Sequence, residues 1–143
     1  MKHRPSLIAQ TGLRIVFHTL VVLSVYLLAA GHNAPGGGFI GGLVVGAALT
    51  LVWAVDGPQR LRATLPLPTF TVIGLGLLAA AAAGTIAWAQ GRPFFEAVAF
   101  GLDLPLFGKV KLTSVFLFDA GVYLVVMGMV LGILVNLGEE VEA

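Results

Sequence analysis

Apolar positions in this chain come in long runs, and four of these stand out, at residues 12–30, 39–55, 70–89 and 112–137. A helix needs about 20 apolar residues to cross roughly 30 Å of hydrocarbon, so each run predicts a membrane-spanning helix. The second run is short by that measure and extends into the glycines before it. The fourth is long and is expected to tilt or project. No run alternates polar with apolar residues, which argues against a lipid-spanning barrel. The first run has the outline of a signal peptide, with Lys2, His3 and Arg4 ahead of it and Ala29, Ala30 and Gly31 behind. Further spans follow at once, so it is read as a first helix. The pattern predicts an all-α integral membrane protein with four transmembrane helices, a single membrane domain over residues 1–143 and no soluble domain.

The connections differ in kind. The first is short and glycine-rich. The second, 56–69, holds Pro58, Pro66 and Pro68, which are expected to stop helices. The third, 90–111, is the longest and mixes Phe94, Phe95, Phe100, Leu104 and Phe107 with Arg92, Glu96 and Asp103. Such a loop is expected on the membrane face or against another subunit. Lys2, Arg4, Arg14, Arg60 and Arg62 fall on the side of the termini, against Arg92, Lys109 and Lys111 opposite. This bias favours cytoplasmic termini.

Composition sharpens the picture. Of 143 residues, 58% are hydrophobic and 10% charged, beyond what a soluble core of this size could hide. A net charge of +1 offers no basic surface for nucleic acid. There are no cysteines, so disulfides, thiolate chemistry and cysteine-held metals are excluded. No metal site, cofactor or enzyme centre is visible.

Small residues predict how the helices pack, because association in lipid depends on close backbone approach. Gly38, Gly42, Gly46 and Thr50 line one face of the second helix at four-residue spacing. Gly76, Ala80 and Gly84 do so on the third, and Gly128, Gly132 and Asn136 on the fourth. These grooves serve packing within the chain, docking to other chains, or both.

The fourth helix also carries Asp119. At about 100° per residue, Asp119 groups with Leu112, Phe116, Tyr123 and Val126, with Gly121, Gly128 and Gly132 nearly opposite. A carboxylate facing lipid is costly, so Asp119 is expected to meet protein or water. With both faces covered, the helix needs neighbours on two sides, which suggests a larger assembly. Asp119 is either a proton or cation relay or a structural carboxylate tied to a neighbouring group. His18, one turn after Arg14, is a weaker candidate for a transport role. It lies about 18 Å from the outer end of its helix, against about 10 Å for Asp119, so the two are not expected to pair.

The most distinctive segment runs from Gly31 through His32, Asn33, Ala34, Pro35, Gly36, Gly37, Gly38, Phe39 and Ile40 to Gly42. Gly31 is expected to end the first helix in a left-handed conformation. Phosphate cradling is a poor reading, since no Lys-Ser/Thr follows the glycines. The segment is a tight helix–helix turn, or a backbone-rich element that packs on another subunit or lines an aqueous path.

The string GHNAPGGGFIGG over 31–42 resembles the signature of the B-type component of Mrp-type (also called Mnh) multisubunit sodium/proton antiporters. FDAGVYLVV over 118–126 resembles a second motif of that family. The resemblance implies a four-helix subunit of a bacterial or archaeal cytoplasmic-membrane complex that exchanges Na+ for H+. It implies partners of the A, C, D, E, F and G types, with the ion-conducting residues mostly in the A and D types. Pro35 and Phe39 match positions that the family associates with antiport, and Asp119 matches a motif position of less settled role. His32, Gly36, Gly37, Gly38 and Tyr123 are further candidates for the ion path or a subunit interface. Alternatives are a purely structural scaffold and the membrane arm of a related energy-converting hydrogenase complex. A stand-alone four-helix exporter calls for an acidic residue in the first helix, which has none.

Overall fold

The computed structural model describes residues 6–31, 36–93, 98–104 and 108–142, with 99–104, 108–112 and 141–142 described by backbone alone. Its elements are α1 (Leu7–Ala30), α2 (Gly37–Asp56), α3 (Pro58–Thr64), α4 (Thr69–Ala89), β1 (Ala99–Leu104), β2 (Gly108–Thr113) and α5 (Ser114–Glu142). Four helices, α1, α2, α4 and α5, are long and apolar enough to cross a membrane.

The helix ends have local causes. Ser6 opens α1, its hydroxyl accepting from the Ala9 amide at 3.2 Å. Gly31 closes α1 at φ −69°, in the right-handed region, contrary to the left-handed end expected there. The left-handed residue is Gly36, at φ +102°, which opens α2. Gly31 is needed for another reason: a Cβ there would run into the Cα of Gly37. The prolines of the second connection fall where helices stop, as expected: α2 ends at Asp56 ahead of Pro58 and α3 at Thr64 ahead of Pro66. Pro58 sits in the first turn of α3, where its missing amide costs nothing and its fixed φ suits a helix. Pro68 caps α4, accepting from the Thr71 amide at 3.0 Å.

The long third connection contains an antiparallel hairpin that the sequence pattern did not anticipate. β1 pairs β2 from Ala99 opposite Thr113 to Leu104 opposite Gly108, with Asp103 opposite Lys109. Residues 112 and 113, expected to begin the last helix, belong to β2 instead. Val98 fastens the hairpin to α5: its amide donates to Ser114 Oγ at 3.0 Å, and its carbonyl accepts from the Ser114 amide at 2.9 Å.

The long helices pack mainly as a row, α1 on α2, α2 on α5, α5 on α4. Glycines set the spacing within it. On α2, a Cβ at Gly42 would lie 2.8 Å from Val126 Cβ, and one at Gly46 would lie 2.9 Å from Val130 Cγ2. Between α4 and α5, a Cβ at Gly121 would stand 2.6 Å from the Gly76 carbonyl oxygen, and one at Gly128 would stand 2.7 Å from Ile73 Cγ1. The two faces of α5 are therefore both covered inside the chain, the Asp119 face by α2 and the glycine face by α4. This corrects the inference that the faces of this helix require outside neighbours. The bare surfaces lie on the outer helices: Ile15, Val22 and Tyr26 on α1, and Phe70, Leu78 and Trp88 on α4 are exposed.

A small core closes the end where α1 begins and α5 ends. Leu61 of α3 is fully buried against Leu49 and Val52 of α2 and Leu131 and Leu134 of α5. At the rim, Arg62 donates to Glu139 at 2.9 Å, with both side chains well exposed.

Candidate functional site

The site is a seam where α1, α2 and α5 meet, built on the left-handed turn at Gly36. The first intrahelical bond of α2 runs from the Ile40 amide to the Gly36 carbonyl at 3.0 Å. The amides ahead of Ile40 thus lack helical acceptors, and Gly36 has no side chain to serve them. Asp119 does so from another helix. Its carboxylate accepts from the Gly38 amide, and the absence of a side chain at Gly38 lets the α5 backbone come against it: a Cβ there would collide with the Asp119 carbonyl oxygen. The positive end of α2 is thereby matched to a carboxylate.

Asp119 is 5% exposed. Its Oδ2 is buried and has no hydrogen-bond partner among the described residues. α5 begins at Ser114, so Asp119 lies about 7.5 Å along it, less than the depth expected from an earlier start. One turn on, Tyr123 Oη lies 3.0 Å from Ser24 Oγ of α1. Ser24 spends its one proton on the Val21 carbonyl at 2.9 Å, so Tyr123 donates to Ser24. The Tyr123 ring packs on Gly41, whose Cβ would stand 3.2 Å from it. Ser24 is the buried residue of α1, and it is polar. A carboxylate with one bound and one unengaged oxygen, beside a phenol–hydroxyl pair, can hold a proton or contribute ligands to a cation.

The structure joins Asp119 to Gly38 and Tyr123 to Gly41 and Ser24, while Gly36 supplies the turn ahead of them and Gly37 packs on Gly31 of α1. Phe39, though next to Gly38, is 51% exposed and turns away from the seam. His32 and Pro35 lie outside the described residues. His18 is elsewhere, exposed on α1, its Nδ1 donating to the Arg14 carbonyl at 2.6 Å and its ring edge-on to Phe17. Gly42 and Gly46 seat α2 on α5, and Gly128 and Gly132 seat α5 on α4. Sequence reasoning missed Ser24 and Gly41. Ser24 had a signal, a polar residue in the middle of an apolar span. Gly41 falls off the four-residue glycine spacing, and its signal was its place in the 31–42 string. No cluster of three metal-ligating side chains occurs among the described residues.

Residues 8–132 match a family model described as a domain related to the MnhB subunit of Na+/H+ antiporter. The B-type Na+/H+ antiporter subunit of Bacillus subtilis (strain 168) is 39% identical over 134 residues, 94% of each chain. The B-type Na+/H+ antiporter subunit of Alkalihalophilus pseudofirmus is 36% identical over 127 residues, 89% of this chain and 88% of that one. Among solved structures, the Mrp complex from Dietzia sp. DQ12-45-1b contains a chain that this one matches with a TM-score of 0.77 at 32% identity. The match covers 92% of this chain and 14% of that longer one.

Proposed function

The chain belongs to the MnhB family, and on that premise we propose that it is the B-type membrane component of a multisubunit Na+/H+ antiporter whose Asp119 seam takes part in ion exchange. The observation that carries the second half is Asp119 itself, buried between α2 and α5 with Oδ2 unengaged among the described residues. A carboxylate retained in a span at the cost of desolvation is a functional candidate by default. Subunits of the A, C, D, E, F and G types are the expected neighbours, and the bare faces of α1 and α4 are where they or lipid would sit. Arg60 and Arg62 within α3 and Arg14 in the first half of α1 support cytoplasmic termini.

A second reading has its own observation. The carboxylate accepts from the Gly38 amide at a helix start that lacks a side-chain cap of its own, so Asp119 serves as a cap supplied by α5. Asp119→Asn separates the two, because the amide oxygen can still accept from Gly38 while the group can no longer titrate. The whole antiporter, with this substitution, is expressed in an antiporter-deficient host and assayed in everted vesicles by Na+-induced dequenching of a pH dye. Assembly is followed on native gels. Loss of exchange in an intact complex is expected. Normal exchange in an intact complex would refute the relay, and loss of assembly would leave Asp119 a structural cap.

A further inference from the structure

At the end where α1 begins and α5 ends, α1, α2 and α3 surround an open cavity of about 500 Å³. Arg14 of α1 and Arg60 of α3 both line it, with the Thr64 hydroxyl a turn beyond Arg60. Arg62, close by in sequence, is paired with Glu139. Arg14 and Arg60 have no ion-pair partner among the described residues, and Asp56, on the same wall, bonds neither. Two guanidinium groups against one carboxylate leave the cavity positive.

Leu13 and Phe17 of α1 and Val52 of α2 line the same cavity, with His18 next to Phe17. Gly31 packs on Gly37 and Gly41 on the Ser24 carbonyl, an antiparallel register that sets Arg14 at about the level of Val52. Basic and apolar groups side by side match an amphiphile entering from the membrane surface. A free phosphate would leave Leu13, Phe17 and Val52 unmatched. The volume suits a small-molecule headgroup rather than a docking helix. The planar fork of arginine fits phosphate oxygens two at a time.

We propose that this cavity binds a phospholipid with an anionic headgroup, its phosphodiester held between Arg14 and Arg60 and its first methylenes against Phe17 and Val52. The site is separate from the Asp119 seam and does not depend on a relay there.

The test uses the whole purified complex in detergent, loaded with phosphatidylglycerol carrying a photoreactive group near the glycerol. After irradiation, adducts are mapped by peptide mass spectrometry. Adducts are expected on the α1 and α3 peptides, competed by unlabelled phosphatidylglycerol but by neither phosphatidylcholine nor inorganic phosphate. Arg14→Gln with Arg60→Gln should lower the yield about tenfold, the loss of charge-assisted bonds to one phosphate. Arg62→Gln should leave it unchanged. Equal competition by phosphatidylcholine would reduce the site to general lipid contact, and displacement by inorganic phosphate would make it a soluble-anion site. An undiminished yield in the double variant, or cross-links to another subunit in place of lipid, would also overturn the proposal. Should the double variant fail to assemble, the competition series on the unaltered complex decides alone.

Discussion

Gly121→Ala tests the packing that holds the seam in place. A Cβ at 121 would stand 2.6 Å from the carbonyl oxygen of Gly76 and 2.7 Å from the backbone nitrogen of Ala80. Both are main-chain atoms of α4 and cannot rotate away. Restoring ordinary contact at 3.4 Å requires α4 and α5 to part locally by about 0.8 Å. A gap of that size forfeits roughly a quarter to a half of the dispersion energy of the neighbouring pairs. Overpacking of this kind costs about 1–3 kcal/mol, and this site belongs at the upper end. The better helix propensity of alanine returns up to about 1 kcal/mol, leaving a net loss of about 2 kcal/mol. Gly132→Ala is the control, because its Cβ would meet the Thr69 methyl at 2.9 Å, a side-chain group that can turn aside. Its net effect should be close to zero. The assembled complex is heated in detergent, and retention of this subunit is followed by size-exclusion chromatography. Gly121→Ala should lower the midpoint by several degrees and Gly132→Ala should not. Equal midpoints for the two would refute the claim that backbone approach sets the α4–α5 spacing.

Other outcomes follow from single contacts. Tyr123→Phe and Ser24→Ala each break the 3.0 Å bond between α1 and α5 and should each cost about 1 kcal/mol in the same assay. The double variant should cost less than the sum, and full additivity would show that the bond contributes nothing. Leu61→Ala removes the fully buried side chain of α3 and should destabilise by about 2–5 kcal/mol. Limited proteolysis should then cut first between residues 57 and 68, and unchanged cleavage would show that Leu61 does not anchor α3.

Much of the seam could be read from the chain because helical geometry is periodic. Grouping Asp119 with Tyr123 and Val126, opposite Gly121, Gly128 and Gly132, needed only the repeat of the helix, and those two sets do face α2 and α4. The hairpin at 99–113 could not be found that way. Its stability lies in pairing between strands, and its sequence lacks a long alternating run. The left-handed turn was likewise expected at Gly31, whereas it stands at Gly36. A left-handed turn depends on where the chain must reverse, and either glycine could have supplied it.

By itself the sequence determined that this chain lives in lipid as four helices, because run length and charge depletion answer directly to the thickness and polarity of a bilayer. It also determined which helix faces carry small residues. Tertiary structure decided what those faces meet. α2 and α4 cover both sides of α5, Gly38 donates to Asp119, and Ser24 receives Tyr123 from 99 residues away. These are distances between helices, set by how closely glycine backbones can approach, and no single helix contains them. The same packing left Arg14 and Arg60 around one cavity while Arg62 found Glu139.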